Sequence, residues 1–322
     1  MIQFFTTHAH RYTIEGFLAA WAAECRDVVN VHSYERFPLS GKPAAGVWVF
    51  SDMERLHRAE RRFAENLADS LRALPGHGLI LNDPRRYRGR FELLHDLHQQ
   101  GLNHFRAWRL AEVGAELKFP VFLRSELEHT VISPLLHSPE QLRAALRRHR
   151  RRRDRGHLLV VEFCDCRDAD GLIRKYSAMN IHGRLFPRHI FFSRDWMVKG
   201  ADLVGPEQLE EESRFMDGFP HAELVADAFR LCGLDYGRID YSFHRGQIQV
   251  WEINSNPMIV PRAETLAPGR LPAQTRSAQA ISAALRELAG RVPATPLPFY
   301  ARPYLRMRVS QLFGRILHER RS

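Results

Sequence analysis

The segment of this 322-residue sequence that most restricts its fold runs from Gly237 to Pro257 and reads GRIDYSFHRGQIQVWEINSNP. Apolar and polar residues alternate on both sides of the central HRG, which predicts two antiparallel strands joined by a tight turn. Because alternate side chains share a face of a strand, each strand presents one set of alternate residues together. These sets are Arg238, Asp240 and Ser242 on the first strand, and Ile248, Val250, Glu252 and Asn254 on the second.

The length of the turn decides whether the two carboxylates can meet. An unbulged two-residue turn, Arg245-Gly246, would pair Asp240 with Trp251 and leave the Asp240 side chain on the opposite face from Glu252. A three-residue turn would place both carboxylates on one face, and its last position suits a glycine in the left-handed conformation. The sequence therefore predicts an odd-numbered turn, or an even one corrected by a bulge, with Gly246 at positive φ.

Three side chains with oxygen ligands would then lie close together, namely Asp240, Glu252 and Asn254. Hard oxygen ligands with room for waters and phosphates are the ligands that Mg²⁺ takes when it serves a nucleotide. The hairpin is therefore a candidate magnesium site.

This stretch resembles the metal-binding end of the ATP-grasp superfamily, and is most similar to D-alanine–D-alanine ligase and the ligases that join amino acids to carboxylates. The family pattern places an Asp on one strand, Glu-x-Asn on the next strand and a Pro shortly afterwards, as GRID and EINSNP do here. The resemblance implies that Asp240, Glu252 and Asn254 hold one or two Mg²⁺ ions, or Mn²⁺, against the phosphates of ATP. It also implies that Arg238 stabilises a tetrahedral intermediate.

The resemblance covers roughly residues 75 to 262. It implies an α/β protein with the ATP-grasp fold, in which an N-terminal α/β domain is followed by two α+β lobes that grip ATP. We therefore expect an N-terminal domain over residues 1–110, the ATP-grasp lobes over 111–292 and a basic C-terminal tail over 293–322.

Alternating strand-like and helical runs at the N-terminal end predict a small parallel sheet covered by helices. The strand-like runs lie near Ile2–Thr6, Val28–His32, Gly46–Ser51 and Gly78–Asn82. Asn82 and Asp83 follow the fourth run, and open α/β sheets bind ligands at the carboxyl ends of their strands. Both residues are therefore candidates for lining a cleft, although an Asn-Asp-Pro turn is the commoner meaning of this sequence.

Two further predicted strands carry the residues that the resemblance assigns to the nucleotide. The strand FPVFLR ends in Arg124, where the family has a lysine that reaches the α-phosphate of ATP. The segment after it, residues 125–130, holds no glycine and so departs from the glycine-rich loop of many family members. The positions that match the adenine-reading hinge of the family are Glu162, Phe163 and Cys164.

The segments Leu172–Ile181 and Leu185–Ser193 predict two adjacent antiparallel strands. Cations on such neighbours repel across the ladder unless an anion lies between them, so a shared anion is expected here. The resemblance assigns catalytic roles to an arginine on each strand and leaves the neighbouring cations as further candidates. The residues concerned are Arg174 and Arg188 as catalytic candidates, Lys175 as a nucleotide ligand, and His189.

The formal net charge of +10 shows that the surface attracts polyanions. The densest basic cluster, Arg147–Arg155, ends a helix predicted to begin at Ser138-Pro139, and it reads either as a solvated helix end or as a contact for an acidic partner. No aromatic residues lie among these arginines to stack bases, so sequence-specific nucleic-acid binding is not expected.

The four cysteines are few and are not spaced as a disulfide framework, which predicts a reducing cytoplasm. Cys164-x-Cys166 lacks a second pair and is interpreted as two thiols at a strand end without a metal. No apolar run approaches a membrane span, and the N-terminal residues lack the pattern of a secretory signal.

These features predict an ATP- and Mg²⁺-dependent ligase that joins a small-molecule or peptide carboxylate to an amine through an acyl phosphate. Two alternatives remain open at this stage. One is a small-molecule kinase of the same fold, and the other is a non-catalytic arginine-rich protein that binds nucleic acid. The sequence names neither co-substrate, and it leaves open whether the chain forms a homo-oligomer.

Overall fold

The structure is a computed structural model that describes residues 1–37, 44–127, 131–152 and 155–292. The predicted C-terminal tail, residues 293–322, and two residues of the arginine run, 153–154, lie outside the described residues. No helix in the described ranges is both long enough and apolar enough to cross a membrane.

A parallel four-stranded sheet forms the N-terminal part of the chain, in the strand order β2-β1-β3-β4. Strands β1 and β3 are buried along their whole length, which explains their continuous apolar sequences. The strands are β1 Ile2–Thr6, β2 Val29–Ser33, β3 Gly46–Phe50 and β4 Gly78–Leu81, and the helices are α1 Tyr12–Ala20 and α2 Arg58–Arg72. The predicted sheet and its covering helices are therefore present.

The second sheet is antiparallel and has three strands in the order β5-β7-β6. Its central strand β7 is fully buried, and β6 lies at the edge of the three. The strands are β5 Ala107–Arg109, β6 Val121–Ser125 and β7 Leu158–Glu162, and the helices are α3 Arg90–Gln99 and α4 Pro139–Arg148. Ser138 caps α4 as predicted, since its hydroxyl accepts a hydrogen bond from the Gln141 N–H.

The third sheet is antiparallel and has four strands in the order β11-β10-β8-β9. The strands are β8 Ile173–Ile181, β9 Arg184–Ser193, β10 Tyr236–His244 and β11 Gln247–Asn254, and the helices are α5 Pro206–Gly218, α6 Ala222–Cys232 and α7 Leu271–Gly290. A parallel-sheet domain followed by two antiparallel lobes is the architecture that the ATP-grasp resemblance predicts, so the predicted fold class is confirmed.

The N-terminal sheet and the third sheet share one hydrophobic core. Helix α7 places Ile281 and Leu285 in the same buried cluster as Phe4 of β1, Val47 of β3 and Met179 of β8. Burying apolar side chains of this size from both parts stabilises their relative position. Strands β10 and β11, which follow β9, are therefore held at a fixed position relative to the carboxyl ends of the parallel strands.

Asn82, at the end of β4, ties the same two parts together through hydrogen bonds. It is fully buried at a φ of 54°, donates from Nδ2 to the Tyr236 carbonyl (2.8 Å), and accepts from the N–H groups of Asp235 (2.8 Å) and Tyr236 (2.9 Å). Asn82 is not among the residues that line the cavity described below. The contacts of Asn82 hold the two parts of the fold together, and Asn82 does not line the cleft for which it was a candidate.

Replacing Asn82 with alanine should lower the free energy of unfolding by about 2 kcal/mol or more, because two buried N–H groups and one carbonyl lose their partner. Denaturant titration measures the effect. Asn30→Ala, on the exposed side of β2, should change the free energy by no more than about 0.5 kcal/mol. Equal effects of the two substitutions would contradict a tie between the two parts at Asn82.

Candidate active site

The hairpin of β10 and β11 has a two-residue turn and a bulge. His244 pairs with Gln247, so the turn consists of Arg245 (φ 50°) and Gly246 (φ 80°). Two successive residues at positive φ match the turn that suits the right-handed twist of a hairpin. The turn is thus the even-numbered alternative, and Gly246 has the predicted positive φ.

The bulge restores the alignment that a two-residue turn would otherwise destroy. Asp240 pairs with Glu252 and Tyr241 with Val250, so Trp251 is the extra residue on β11. An extra residue on one strand reverses the facing of every side chain beyond it. Asp240 and Glu252 therefore lie side by side on one face, as predicted.

This face of the hairpin forms one wall of a cavity of about 420 Å³. Residues of the second and third sheets line the cavity together with residues that follow β1 and β3 of the first sheet, and the charged side chains of the lining are predominantly cationic. The charged lining residues in the described ranges are Arg55, Arg124, Lys175, Lys199 and Arg238 against Glu162, Asp240 and Glu252. An excess of positive charge in a concave site raises the local concentration of anions.

Asp240 is almost completely buried and is surrounded by donors. Its carboxylate accepts from the Ser177 hydroxyl (2.6 Å) and from Arg238 Nε (3.1 Å), and Lys175 Nζ lies 3.4 Å away. Burial and the nearby Glu252 raise the pKa of Asp240, but Arg238, Lys175 and the Ser177 hydrogen bond outweigh them, so its pKa lies below the ordinary value. Asp240 is consequently ionised at neutral pH, as a metal ligand must be.

Glu252 and Asn254 complete the oxygen set. Glu252 Oε2 accepts from Arg90 (2.8 Å) and Arg124 (3.0 Å), and Oε1 accepts from Asn254 Nδ2 (3.2 Å). Asn254 Oδ1 is buried without a hydrogen-bond partner. An unpartnered buried acceptor beside two carboxylates is unfavourable unless a cation or a water satisfies it. These oxygen-only donors fit a hard divalent cation, although no group of three His, Cys, Asp or Glu side chains in the described ranges could hold a metal by itself.

Arg124 has a buried N–H donor without a hydrogen-bond partner, whereas Asn254 has a buried acceptor without one. Arg124 lines the cavity, is 8% exposed, and its Nε has no hydrogen-bond partner. Burial lowers the pKa of Arg124 to about 10 with a further contribution from Arg90, while Glu252 opposes the shift. The guanidinium therefore keeps its charge at neutral pH and can donate to an anion in the cavity.

The predicted hinge lies at the cavity, but much of its hydrogen bonding is internal. The Glu162 carboxylate accepts from Trp108 Nε1 and from the N–H groups of Arg106 and Lys118, each at 3.1 Å. The backbone N–H of Glu162 donates to Arg106, and that of Phe163 donates to the carbonyl of Pro120. The Glu162 side chain thus anchors the strand end and does not point an open acceptor at a ligand.

Aromatic side chains surround the hinge side of the cavity. The Trp196 ring lies 5.2 Å from Phe122 and 5.9 Å from Phe163, measured between ring centroids. Cys164, Val161 and Ile173 line the same cavity. An apolar, partly aromatic compartment next to a cationic one can take a planar base joined to phosphates.

The structure does not bring Arg174 and Arg188 to this cavity. Arg174 is ion-paired with Asp168, Asp170 and Glu211 at 2.7–2.9 Å. Its paired partner on β9 is Phe192, so the two arginines do not face each other across the ladder. Lys175, the next residue on β8, is the one that lines the cavity.

Arg188 occupies a bulge on β9, between the pairs Ser177–His189 and Ala178–Pro187. The bulge turns its side chain toward α7, where Arg188 donates to the Ile259 carbonyl (3.0 Å), Gln274 Oε1 (2.7 Å) and the Ser277 hydroxyl. It is 1% exposed, and burial lowers its pKa to about 9. Its neighbour His189 is buried too, and that burial holds its pKa well below the ordinary value. Arg188 would have to leave three partners before it could meet a substrate.

The sequence did not point to several of the lining residues. His10 and Tyr12 follow β1 and Arg55 follows β3, all before residue 75 where the resemblance begins, and Trp196 lies in the loop after β9, at a position to which the resemblance gave no role. The rule that ligands bind at the carboxyl ends of parallel strands would have pointed to the segments after β1 and β3.

No protein-family model and no curated protein matches the chain. Among solved structures, it is similar to the D-alanine–D-alanine ligase of Bacillus anthracis complexed with ATP, at 14% identity over 96% of this chain and 98% of that one, with a TM-score of 0.49. It is similar to the ATP-grasp ligase PsnB complexed with a phosphomimetic variant of its minimal precursor, Mg and ADP, at 13% identity over 89% and 97% of the two chains and a TM-score of 0.48. A RimK domain ATP-grasp protein from Sphaerobacter thermophilus shows 13% identity over 91% and 99%, with a TM-score of 0.44.

The contacts of Arg188 predict a structural effect. Arg188→Met should lower the free energy of unfolding by about 2 kcal/mol or more, because three buried acceptors lose a donor. Arg184→Met, on the same strand, removes a surface ion pair with Glu287 and a cation–π contact with Phe186, and should cost no more than about 1 kcal/mol. If both variants unfold like the unmodified protein, Arg188 is not the internal support described here.

Proposed function

We propose that this protein is an ATP- and Mg²⁺-dependent ligase that joins a carboxylate to an amine. The observation that supports the proposal best is the pair of unpartnered buried atoms on either side of Glu252. Asn254 Oδ1 lacks a donor or cation, and Arg124 Nε lacks an acceptor. A divalent cation bound to an anion such as a polyphosphate would satisfy both atoms at once.

The residues fit the proposed metal and nucleotide. Asp240, Glu252 and Asn254 would hold the Mg²⁺ ion, which would draw negative charge from the phosphate oxygens. Arg124 and Lys175 would neutralise the remaining phosphate charge. The aromatic compartment around Trp196 would take the adenine ring, with Phe163 and Cys164 as the hinge positions beside it.

In the proposed reaction the substrate carboxylate would attack the γ-phosphate of ATP to give an acyl phosphate with ADP as the leaving group, and the amine would then displace phosphate. Positioning and charge neutralisation by the protein supply most of the catalysis in phosphoryl transfer. Arg238 lines the cavity beside Asp240 and would donate to the oxyanion of the tetrahedral intermediate.

Calorimetric titration with Mg·ATP and Mg·ADP, followed by a phosphate-release screen of acids and amines, tests the proposal. Phosphate release that requires both an acid and an amine would support ligation. Transfer of phosphate to a hydroxyl compound without an amine would indicate a kinase instead. No binding of either nucleotide would contradict the proposal.

Asp240→Asn and Glu252→Gln should each lower turnover at least about 100-fold, roughly 2.7 kcal/mol in the barrier, because each removes a charged ligand of the proposed metal. Circular dichroism should show an intact fold. Asp202→Asn, an exposed acid outside the cavity, should leave turnover unchanged. Near-normal turnover of either site variant at ordinary Mg²⁺ concentration would falsify the metal assignment.

Arg238→Ala should harm ligation more than nucleotide affinity, since a single oxyanion donor contributes about 2.7–4 kcal/mol in the transition state. Nucleotide affinity and turnover are measured side by side on the same preparation. Because Arg238 also contacts Asp240, affinity should fall slightly. A loss of affinity as large as the loss of turnover would instead make Arg238 a nucleotide ligand.

A further inference from the structure

The strand order of the N-terminal sheet marks a second place where ligands can bind. In the order β2-β1-β3-β4, the chain passes from β1 to β2 on one side and then to β3 on the other. The crevice between β1 and β3, at their carboxyl ends, is therefore the topological switch point, where open α/β sheets bind ligands. His10 follows β1, Arg55 follows β3, and both line the cavity beside the hairpin.

A buried carboxylate organises the side chains at this switch point. Asp52, 0% exposed and at a φ of 60°, accepts from the Thr7 N–H (3.3 Å), from the Thr7 hydroxyl and from Arg55. His10 Nδ1 lies 2.8 Å from the Thr7 hydroxyl and 3.2 Å from Asp52 Oδ2. The Thr7 hydroxyl donates its one hydrogen to Asp52 and can therefore only accept from His10. His10 Nδ1 must then carry a hydrogen and donate it to Thr7.

This arrangement fixes the tautomer and the orientation of the imidazole. With its proton on Nδ1, neutral His10 carries its lone pair on Nε2. Nε2 makes no hydrogen bond to any residue that the structure describes, and the side chain is 30% exposed. The loop is also held toward the metal end, since Asn256, two residues beyond Asn254, donates to the His10 carbonyl (3.2 Å).

We propose that His10 is the general base that takes the proton from the amine nucleophile, with Asp52 and Thr7 as its positioning residues. This inference rests on the proposed ligase function. An amine is mostly an ammonium ion at neutral pH and cannot attack carbon until it loses a proton. None of the cationic side chains lining the metal end can accept one, and Asp240 and Glu252 are already engaged by donors.

The amine nitrogen forms a bond to the acyl carbon, the carbon–oxygen bond to phosphate breaks, and inorganic phosphate leaves with that electron pair. One proton of the ammonium ion goes to His10 Nε2 before the attack, and the second, lost from the nitrogen after the attack, goes to the leaving phosphate. The Asp52 carboxylate, 3.2 Å from Nδ1, stabilises the resulting imidazolium.

Hydroxylamine separates this step from the one before it, because it is largely unprotonated at neutral pH and traps an acyl phosphate as a hydroxamate without a base. Each of the twenty standard amino acids is offered as the acid with Mg·ATP and hydroxylamine. Every acid that yields a hydroxamate is then offered with each of the twenty as the amine. His10→Gln should keep hydroxamate formation within about twofold, while amide formation falls about 100-fold or more.

Asp52→Asn should likewise keep hydroxamate formation and lower amide formation, since it disturbs the orientation of the imidazole without removing it. If that buried substitution impairs folding, His10→Asn provides an independent second variant. His8→Gln is the matched control, because His8 lies in the same loop but is exposed and outside the cavity. Both reactions should be unchanged in that variant.

Four results would overturn the inference. Normal amide formation by His10→Gln would show that another group takes the proton. Equal loss of hydroxamate and amide would make His10 a binding residue. Hydroxamate without any amide in the unmodified protein would contradict amine ligation while leaving acid activation intact. If the unmodified protein forms no hydroxamate at all, the proposed ligase fails, and the role of His10 fails with it.

Discussion

The cavity depends on two carboxylates that lie side by side across a bulged hairpin. Asp240 and Glu252 are paired residues on one face, and they would repel each other without compensating charge. The surrounding arginines and Lys175 supply that compensation and leave the cavity lining cationic. This arrangement supports the proposal that a ligand of high negative charge binds here together with a cation.

The arginines fall into two groups, according to whether all their guanidinium nitrogens have hydrogen-bond partners. Arg174 and Arg188 have complete sets of partners outside the cavity and support the fold around β8 and β9. Arg124 is buried too, but its Nε is left without a partner at the cavity wall. Because an unpaired buried donor costs free energy, such an atom indicates a ligand more strongly than an arginine in a complete network does.

The N-terminal sheet contributes to the site through its strand ends. The core that it shares with α7 and β8 fixes its position, and Asn82 adds hydrogen bonds at the same junction. The Asp52 network therefore stands opposite the hairpin at a defined place. The proposed base on one structural unit and the proposed metal site on another would allow two substrates to meet between them.

The alternation of apolar and polar residues and the residue types at turns are local features. From them the sequence by itself determined the hairpin, the metal-ligand candidates and the order of strands and helices. Alternation placed Asp240 on one face, and Gly246 marked a turn with positive φ. The sequence could not decide which strand carried the bulge, because Trp251 becomes the extra residue only through pairing with β10.

Likewise, only the tertiary structure decided where the side chains of Arg188 and His10 point. The bulge at Arg188 turns its side chain from the expected anion to α7. His10 and Asp52 lie 42 residues apart in sequence and meet because β1 and β3 are neighbours in the sheet. Local pattern fixes the period of a strand, whereas register shifts and strand order depend on long-range pairing that no local pattern encodes.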